Sequence, residues 1–180
     1  MKLEKIAVGQ NVPSDINVII EISMGGHPIK HEMDKESGAL FVDRITTASM
    51  RLPANYGFIP HTLSGDGDPI DVLVVCPYPL EPLSVIRCRP IGFMMTEDEK
   101  GTDEKLIAVP HEKIFPHYAN IKSYKDLPEQ MIAEIQHYYE HYKDLEKGKW
   151  VKISGWKDAA EAQTAILESV ERYNSEKAAA

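Results

Sequence analysis

Helical periodicity is confined to the last third of this chain, and this restriction limits the possible folds more than any other feature. Apolar residues recur at steps of four and three after Pro128, at Met131, Ile135, Tyr138, Tyr142 and Leu145, which is the spacing of one helix face. Gly148 is the predicted end of this helix. A second helix is predicted to begin at Asp158, where Glu161 completes a capping box. The rest of the fold must therefore be built from strands and loops.

The earlier part of the chain shows the patterns of short β-strands. A β-branched run covers residues 17–23, and residues 28–34 alternate between apolar and polar side chains. Further strand candidates lie at 39–45, 71–76, 84–95 and 105–109. Glycine and proline residues separate these segments. Short strands followed by two helices predict one α+β domain, mainly β, over residues 1–180.

Charge and composition exclude several classes of protein. The chain carries 20 basic and 28 acidic residues, a formal net charge of -8, which disfavours nucleic acid and anionic membranes as partners. Its longest nearly apolar stretch, 72–80, is interrupted by two prolines and is too short to span a membrane. The segment MKLEKIAVGQ has no signal-peptide core, and two cysteines make no disulfide framework. We therefore expect a cytoplasmic protein without nucleic-acid or membrane partners.

Three aspartates lie close together in the segment SGDGDPIDVLVV. Asp66, Asp68 and Asp71 fall on a loop that enters an apolar strand. Two carboxylates about 4 Å apart repel each other by roughly 4 kcal/mol at an effective dielectric of about 20, so a cation is expected there. Oxygen ligands favour Mg²⁺, Mn²⁺ or Ca²⁺ over zinc. A solvated acidic turn is the alternative. An EF-hand is excluded, because its Gly and Glu positions are here Asp71 and Pro77.

A second acidic pair brackets a predicted hairpin turn. Asp98 and Asp103 flank residues 99–102, so a hairpin would bring both carboxylates to its base. Lys105 would share the strand face of Asp103. Taken alone, this segment also fits a solubilising turn.

His137 and His141 match the H-x-x-E-H pattern of inverted zinc proteases. On the predicted helix, both histidines point away from the apolar face. A catalytic zinc needs a third ligand inside an enclosed cleft, and the sequence offers no candidate. We therefore interpret the two histidines as a surface pair or a subunit contact.

Three segments together resemble the soluble family I inorganic pyrophosphatases in their short bacterial form. They are EISMGGHPIKHEMDKESGALFVDR, PANYGFIPHTLSGDGDPIDVLVV and HYYEHYKDLEKGKWVKISGW, and the similarity runs from about residue 12 to residue 173. The resemblance implies a five-stranded OB-like β-barrel flanked by two C-terminal helices, in a cytoplasmic homohexamer. It also implies hydrolysis of pyrophosphate to two orthophosphates by a metal-activated water, which keeps pyrophosphate-releasing biosynthesis running forward. Several Mg²⁺ ions per site are implied, with Mn²⁺ or Co²⁺ as substitutes and Ca²⁺ as an inhibitor.

The same resemblance implies roles for individual residues. The implied metal ligands and their acidic supports are Asp66, Asp71, Asp98, Asp103, Glu21 and Glu32. Asp68 is the implied general base, and Tyr56 is a second implied catalytic group. The implied phosphate-binding residues are Lys30, Arg44, Tyr56, Lys105, Tyr142 and Lys143. Leu52 departs from the aromatic residue that many bacterial members carry, and we expect this to change substrate affinity rather than abolish activity.

Two other functions fit parts of the pattern. A nucleic-acid binder on an OB-type barrel would need a basic groove with stacking aromatic residues. The net charge of -8 and the aromatic content of 8% argue against it. A Ca²⁺-binding structural protein could use the same acidic loops, and it would differ in having no turnover.

Overall fold

Residues 2–99 and 101–179, which the computed structural model describes, form nine β-strands and two α-helices. The strands are β1 (Gly9–Asn11), β2 (Asp15–Ile22), β3 (Ile29–Met33), β4 (Leu40–Ile45), β5 (Asn55–Phe58), β6 (Asp71–Val74), β7 (Val85–Asp98), β8 (Gly101–Pro110) and β9 (Val151–Lys157). The helices are α1 (Glu129–His141) and α2 (Ala159–Ala179). Within the described part of the chain, no helix has the length and apolar character needed to cross a membrane.

Five strands close into a ring. β2 pairs antiparallel with both β5 and β7, β5 pairs antiparallel with β6, β6 pairs parallel with β8, and β8 pairs antiparallel with β7. The seam between β2 and β7 runs from Ile16 opposite Cys88 to Ile19 opposite Val85. β1 and β9 extend the sheet, while β3 and β4 form a separate two-stranded sheet. The predicted mainly-β fold with two C-terminal helices is confirmed.

The ring strands pack on both of their faces. Neighbouring residues of a strand point to opposite sides, so Val72 and Leu73 of β6 enter different hydrophobic clusters. Val72 packs in the cluster that contains Ile166 of α2. Leu73 packs in the cluster that contains Ile135 of α1. The two helices therefore cover different faces of the ring strands.

The first helix is shorter than predicted. It begins after Pro128, but it ends at His141, and Leu145 is exposed. The prediction that this helix continues to Gly148 is wrong. After His141 the chain tightens into turns, in which the Asp144 N–H donates to the His141 carbonyl oxygen at 3.1 Å. Gly148 ends these turns with a left-handed φ of 78°.

The second helix begins where the capping box predicts. Asp158 Oδ1 accepts hydrogen bonds from the backbone N–H groups of Ala160 at 2.9 Å and Glu161 at 3.1 Å. In return, Glu161 Oε2 accepts from the backbone N–H of Asp158 at 3.1 Å. This reciprocal pair satisfies N–H groups that a helix N-terminus otherwise leaves unpaired.

Candidate functional site

The residues that the sequence analysis selects meet in two adjoining depressions at one end of the ring strands. A cleft of about 220 Å³ is lined by Arg44, Asp98, Asp103, Lys105, Tyr142 and Lys143. The neighbouring depression is lined by Glu21 and Glu32. Five residues line both, namely Lys30, Tyr56, Asp66, Asp68 and Asp71. The structure therefore brings every selected residue to one surface, although they span more than a hundred positions of the chain.

Strand register explains how distant residues come together. β6 and β8 run parallel with Asp71 opposite Lys105, so these two side chains leave the sheet side by side. In the smaller sheet, Lys30 of β3 lies opposite Arg44 of β4. A hairpin of β7 and β8 is confirmed, but its turn is shorter than predicted: Asp98 lies opposite Gly101 and Asp103 opposite Thr96, so the two aspartates do not face each other across the strands. Lys100 lies outside the described residues.

Lys105 lies at the centre of the cleft. Its ammonium group contacts the Asp71 carboxylate and donates to Asp103 Oδ1 at 2.8 Å. Burial alone lowers the pKa of Lys105, but the charges of both aspartates outweigh it, so this pKa lies above its ordinary value. Burial raises the pKa of Asp103, while Lys105 opposes this rise. Two carboxylates therefore share one cation, as expected for a site built to hold positive charge.

Two more lysines pair with acidic residues at the rim of the cleft. Lys143 Nζ donates to Asp98 Oδ2 at 2.7 Å. Lys30 Nζ lies 3.0 Å from Glu32 Oε2 and 3.3 Å from Asp43 Oδ2. Burial lowers the pKa of Lys30, but its acidic partners raise it above the ordinary value. Positive and negative groups thus alternate across the cleft.

Two phenols stay protonated at neutral pH. Burial, followed by the charge of Asp71, raises the pKa of Tyr56 well above its ordinary value. Burial raises the pKa of Tyr142 to about 12, against the opposing charges of Lys105 and Arg44. The Tyr142 hydroxyl can therefore donate a hydrogen bond to an anion in the cleft, whereas the Tyr56 hydroxyl hydrogen-bonds to Asp71.

Glu21 is the most buried acid of the site. Its Oε1 accepts a hydrogen bond of 2.7 Å from the backbone N–H of Met33. Burial raises the pKa of Glu21 to about 7, and the charge of Asp71 adds to the rise. A cation placed beside Glu21 would favour its charged form.

The acidic loop between β5 and β6 presents Asp66 and Asp68 at the surface. Asp66 Oδ1 accepts from the Asp68 N–H at 3.1 Å, and the Ser64 N–H donates to the Asp68 carbonyl oxygen at 2.7 Å. Gly67 between them has a left-handed φ of 91°, which favours glycine over residues with a side chain. The turn fixes the backbone and leaves the Asp68 carboxylate exposed in the cleft.

The donor chemistry of this site fits a divalent cation. Carboxylate oxygens from four separate segments face one cleft, and such hard ligands suit Mg²⁺ or Mn²⁺. Within residues 2–99 and 101–179, no three His, Cys, Asp or Glu side chains lie close enough to hold one metal ion. Lys105 instead supplies the positive charge between Asp71 and Asp103. Lys105 contacts one oxygen of each carboxylate, Asp71 Oδ2 and Asp103 Oδ1.

Sequence reasoning missed Glu99 and Lys149, which line the cleft, and Glu146, which lies beside it. Glu146 contacts Lys149 and lies 4.0 Å from Arg44 Nε. Glu146 falls in the stretch that the sequence predicts to be helical up to Gly148, and Lys149 follows directly after that glycine. Because the helix ends at His141, the turns that follow carry these side chains to the cleft. No motif in the sequence marks them.

His137 and His141 lie away from the cleft. Both are exposed, their ring centroids are 4.5 Å apart, and His141 Nδ1 lies 2.8 Å from Asp144 Oδ2. Among the described residues, nothing completes a zinc site around them. The pair therefore does not form a zincin-type centre.

Leu52 is buried beside the cleft. It lines a cavity of about 70 Å³ together with Lys30, Arg44 and Tyr142. A side chain larger than leucine would extend into this cavity, towards the two cations.

A closed β-ring whose cleft mixes carboxylates with lysine and arginine has the groups needed to hold a metal ion and an anion side by side. The family model described as inorganic pyrophosphatase matches residues 18–174. The chain belongs to the inorganic pyrophosphatase family and is an enzyme, a hydrolase.

Individual relatives agree over nearly the whole length. The chain is 57% identical to an inorganic pyrophosphatase of Xanthomonas campestris over 98% of its own length and 99% of the relative. A crystal structure titled as an inorganic phosphatase of Anaplasma phagocytophilum superposes with a TM-score of 0.92 at 46% identity, covering 94% of this chain and 99% of that one. The inorganic pyrophosphatase of Thermus thermophilus gives 0.90 at 40% identity, covering 97% and 99%. The predicted OB-like fold is thereby confirmed.

Proposed function

We propose that this chain hydrolyses inorganic pyrophosphate to two orthophosphates with the help of Mg²⁺. The observation that carries the proposal is the single cleft that gathers carboxylates, ammonium and guanidinium groups and phenols in a chain of net charge -8. A polyanion is repelled by such a chain as a whole, so it needs focused cations at the place where it binds.

Six acidic residues are the proposed ligands and supports of the metal ions: Asp66, Asp71, Asp98, Asp103, Glu21 and Glu32. Divalent cations bound there would lower the pKa of water and neutralise the charge of the phosphates. Mn²⁺ or Co²⁺ would substitute for Mg²⁺. Ca²⁺ would inhibit, because it is larger and coordinates with looser geometry.

Asp68 is the proposed general base. Its carboxylate is exposed at the edge of both depressions, on a loop whose backbone is held by hydrogen bonds. From that position it can accept the proton of the attacking water and orient its oxygen towards phosphorus.

The cations and phenols of the cleft are the proposed substrate-binding groups, namely Lys30, Arg44, Tyr56, Lys105, Tyr142 and Lys143. Phosphoryl transfer depends chiefly on positioning and on neutralising charge as the leaving phosphate separates. Protonated Tyr56 would in addition exchange its hydrogen bond to Asp71 for one to a phosphate oxygen, which would give it a catalytic as well as a binding role.

We further propose a cytoplasmic homohexamer of single-domain chains, residues 1–180, that keeps pyrophosphate-releasing reactions running forward. Large apolar side chains exposed on β4 support self-association: Phe41 is 57% exposed, Val42 60% and Ile45 71%. Light scattering would test the hexamer by a mass about six times the 20.3 kDa of one chain.

Phosphate release from pyrophosphate tests the activity directly. We expect turnover with Mg²⁺, none in excess chelator, and recovery when Mg²⁺ is restored. Full activity in chelator would contradict the metal-dependent mechanism. Metal binding without turnover would favour the Ca²⁺-binding structural alternative, and a salt-dependent shift of labelled single strands would favour a nucleic-acid binder.

A further inference from the structure

The C-terminal helix α2 holds the start of the acidic loop through both backbone polar groups of one residue. The Leu63 N–H donates to the Ser169 carbonyl oxygen at 3.0 Å. The Leu63 carbonyl oxygen accepts from Arg172 Nε–H at 2.8 Å. These contacts join segments more than a hundred residues apart, immediately before the loop that carries Asp66 and Asp68.

A third contact holds the residue two positions earlier. His61 Nδ1 and the Tyr173 hydroxyl share a hydrogen bond of 3.1 Å, and their ring centroids lie 5.3 Å apart. His61 has a φ of 57°, in the left-handed region that residues other than glycine seldom adopt. Such a conformation persists where surrounding contacts impose it. Tyr173 supplies contacts of this kind.

The tip of the loop is not packed on α2. A cavity of about 290 Å³ separates them, lined by Asp66, Ala165, Glu168 and Arg172 among others. Within the loop, the Ile70 N–H donates to Thr62 Oγ1 at 3.0 Å, which ties its two ends together. The hydrogen bonds of Thr62 and Leu63 therefore set the orientation of the loop. Asp71, in contrast, is held by its place in β6.

We propose that Arg172 is a positioning residue, and that the clamp of α2 on Leu63 sets the affinity of the cleft for divalent cations. The clamp does so by holding Asp66 in place relative to Asp71 and Asp103. The inference rests on the proposed function in taking the cleft to be a metal site. Without the clamp, the loop has to be ordered when the cation binds, and this cost reduces affinity.

The test compares two variants that remove one positive charge each from exposed positions of α2. Arg172→Gln removes the donor to Leu63, and Lys177→Gln, five residues later, is the matched control. Mn²⁺ binding, followed by electron paramagnetic resonance of the free ion, gives a readout that is independent of turnover. We expect Arg172→Gln to weaken Mn²⁺ binding about 3- to 10-fold, the effect of one lost hydrogen bond. Lys177→Gln should leave it unchanged.

Two further measurements separate positioning from general stability. In Arg172→Gln, amide exchange should accelerate at residues 63–70 but not in the ring strands. The melting temperature should stay within about 2 °C, because the Arg172 side chain is 45% exposed and lies outside the core. Tyr173→Phe should show a weaker effect of the same kind. Turnover at saturating Mg²⁺ should remain within about twofold, while the Mg²⁺ needed for half-maximal activity rises.

The results distinguish failure of the clamp from failure of the proposed activity. Unchanged Mn²⁺ binding and loop exchange in Arg172→Gln would overturn the inference. Faster amide exchange throughout the protein, together with a large fall in melting temperature, would also overturn it, because these changes would show a purely structural role for Arg172. A wild-type protein that binds Mn²⁺ but releases no phosphate would contradict the proposed function and still allow the clamp to be measured.

Discussion

Lys105 is the cation that two carboxylates of the cleft share. It contacts Asp71 and Asp103 and is buried. A divalent cation bound by Asp71 and Asp103, as proposed, would weaken their attraction for this ammonium group. Lys105 would then be available to contact a phosphate oxygen. On the proposed function, binding of the metal and binding of the anion would be linked through this one side chain.

Substitutions of Asp68 and Asp71 should separate a base from a ligand. We expect Asp68→Asn to reduce turnover roughly 10²- to 10⁴-fold, as for loss of a general base, with little change in metal binding. Asp71→Asn should weaken metal binding itself. Calorimetric titration with Mn²⁺ and steady-state kinetics measure the two effects. Equal loss of metal binding in both variants would disprove the role given to Asp68.

Leu52→Tyr should act on affinity rather than on turnover. The added ring would enter the cavity of about 70 Å³ that Lys30 and Arg44 also line, and its hydroxyl would lie on the side of these proposed phosphate-binding cations. We expect the KM for pyrophosphate to change by about three- to tenfold and kcat to stay within about twofold. Leu52→Phe is the control, since it adds the ring without the hydroxyl. A large fall in kcat would argue against this prediction.

The carboxylates of the site could be predicted because several of them are close in sequence. The repulsion among Asp66, Asp68 and Asp71 indicates a cation, but a solvated acidic turn fits the same loop, and the resemblance was needed to choose between them. The scattered cations carry no such signal, and only the resemblance selected Lys30 and Arg44. Lys149 was missed altogether, because its position depends on where α1 ends.

At the level of elements, the ring closes next to an ion pair. Arg87 Nε donates to Asp15 Oδ1 at 2.7 Å, close to the β2–β7 seam, and both side chains are largely buried. This hydrogen bond lowers the pKa of Asp15, while burial opposes the shift. The pair joins the two strands that close the ring.

Asp15→Asn should therefore destabilise the fold by removing a charged acceptor. We expect the melting temperature to fall by a few degrees at neutral pH. In the wild type, the charged Asp15 makes its full contribution to the free energy of unfolding above its ordinary pKa of 3.8. This contribution is lost as the pH falls through the lower pKa that Asp15 has in the folded state. Thermal melts of both proteins between about pH 7 and pH 3 measure this. Glu168→Gln, in an exposed pair, is the control; similar shifts in both variants would contradict the prediction.

Some elements escape sequence analysis for reasons that lie in tertiary structure. β5 has only four residues, including Gly57, where an added Cβ would lie 1.9 Å from the Ile19 carbonyl oxygen. Glycine is there because β2 passes so close, which local patterns cannot reveal. The capping box at Asp158, in contrast, is a local signal and predicted the start of α2 correctly.

At the level of the whole molecule, the histidine pair offers a test of assembly. Protonation of His137 and His141 would place two positive charges on rings 4.5 Å apart, with Asp144 offsetting part of the charge on His141. If the proposed hexamer forms and the pair lies in a subunit contact, lowering the pH from about 7.5 to about 5 should dissociate it. Light scattering would record the change.

The variant His137→Gln/His141→Gln is the control for this titration, since it carries no imidazole to protonate. Its mass should not change over the same pH range. A constant mass in the wild type as well would assign the two histidines to the ordinary surface of the protein.

The seam of the ring also governs how fast the protein can reach its native state. It pairs residue 16 with residue 88, so a long segment has to lose its freedom before these contacts form. Such non-local pairing is typical of domains that fold in about milliseconds to seconds. β2, β5, β6 and β8 each contribute a side chain to the cleft, so the cleft is incomplete as long as the ring is open. During refolding, the rate at which activity returns would therefore report the rate at which the ring closes.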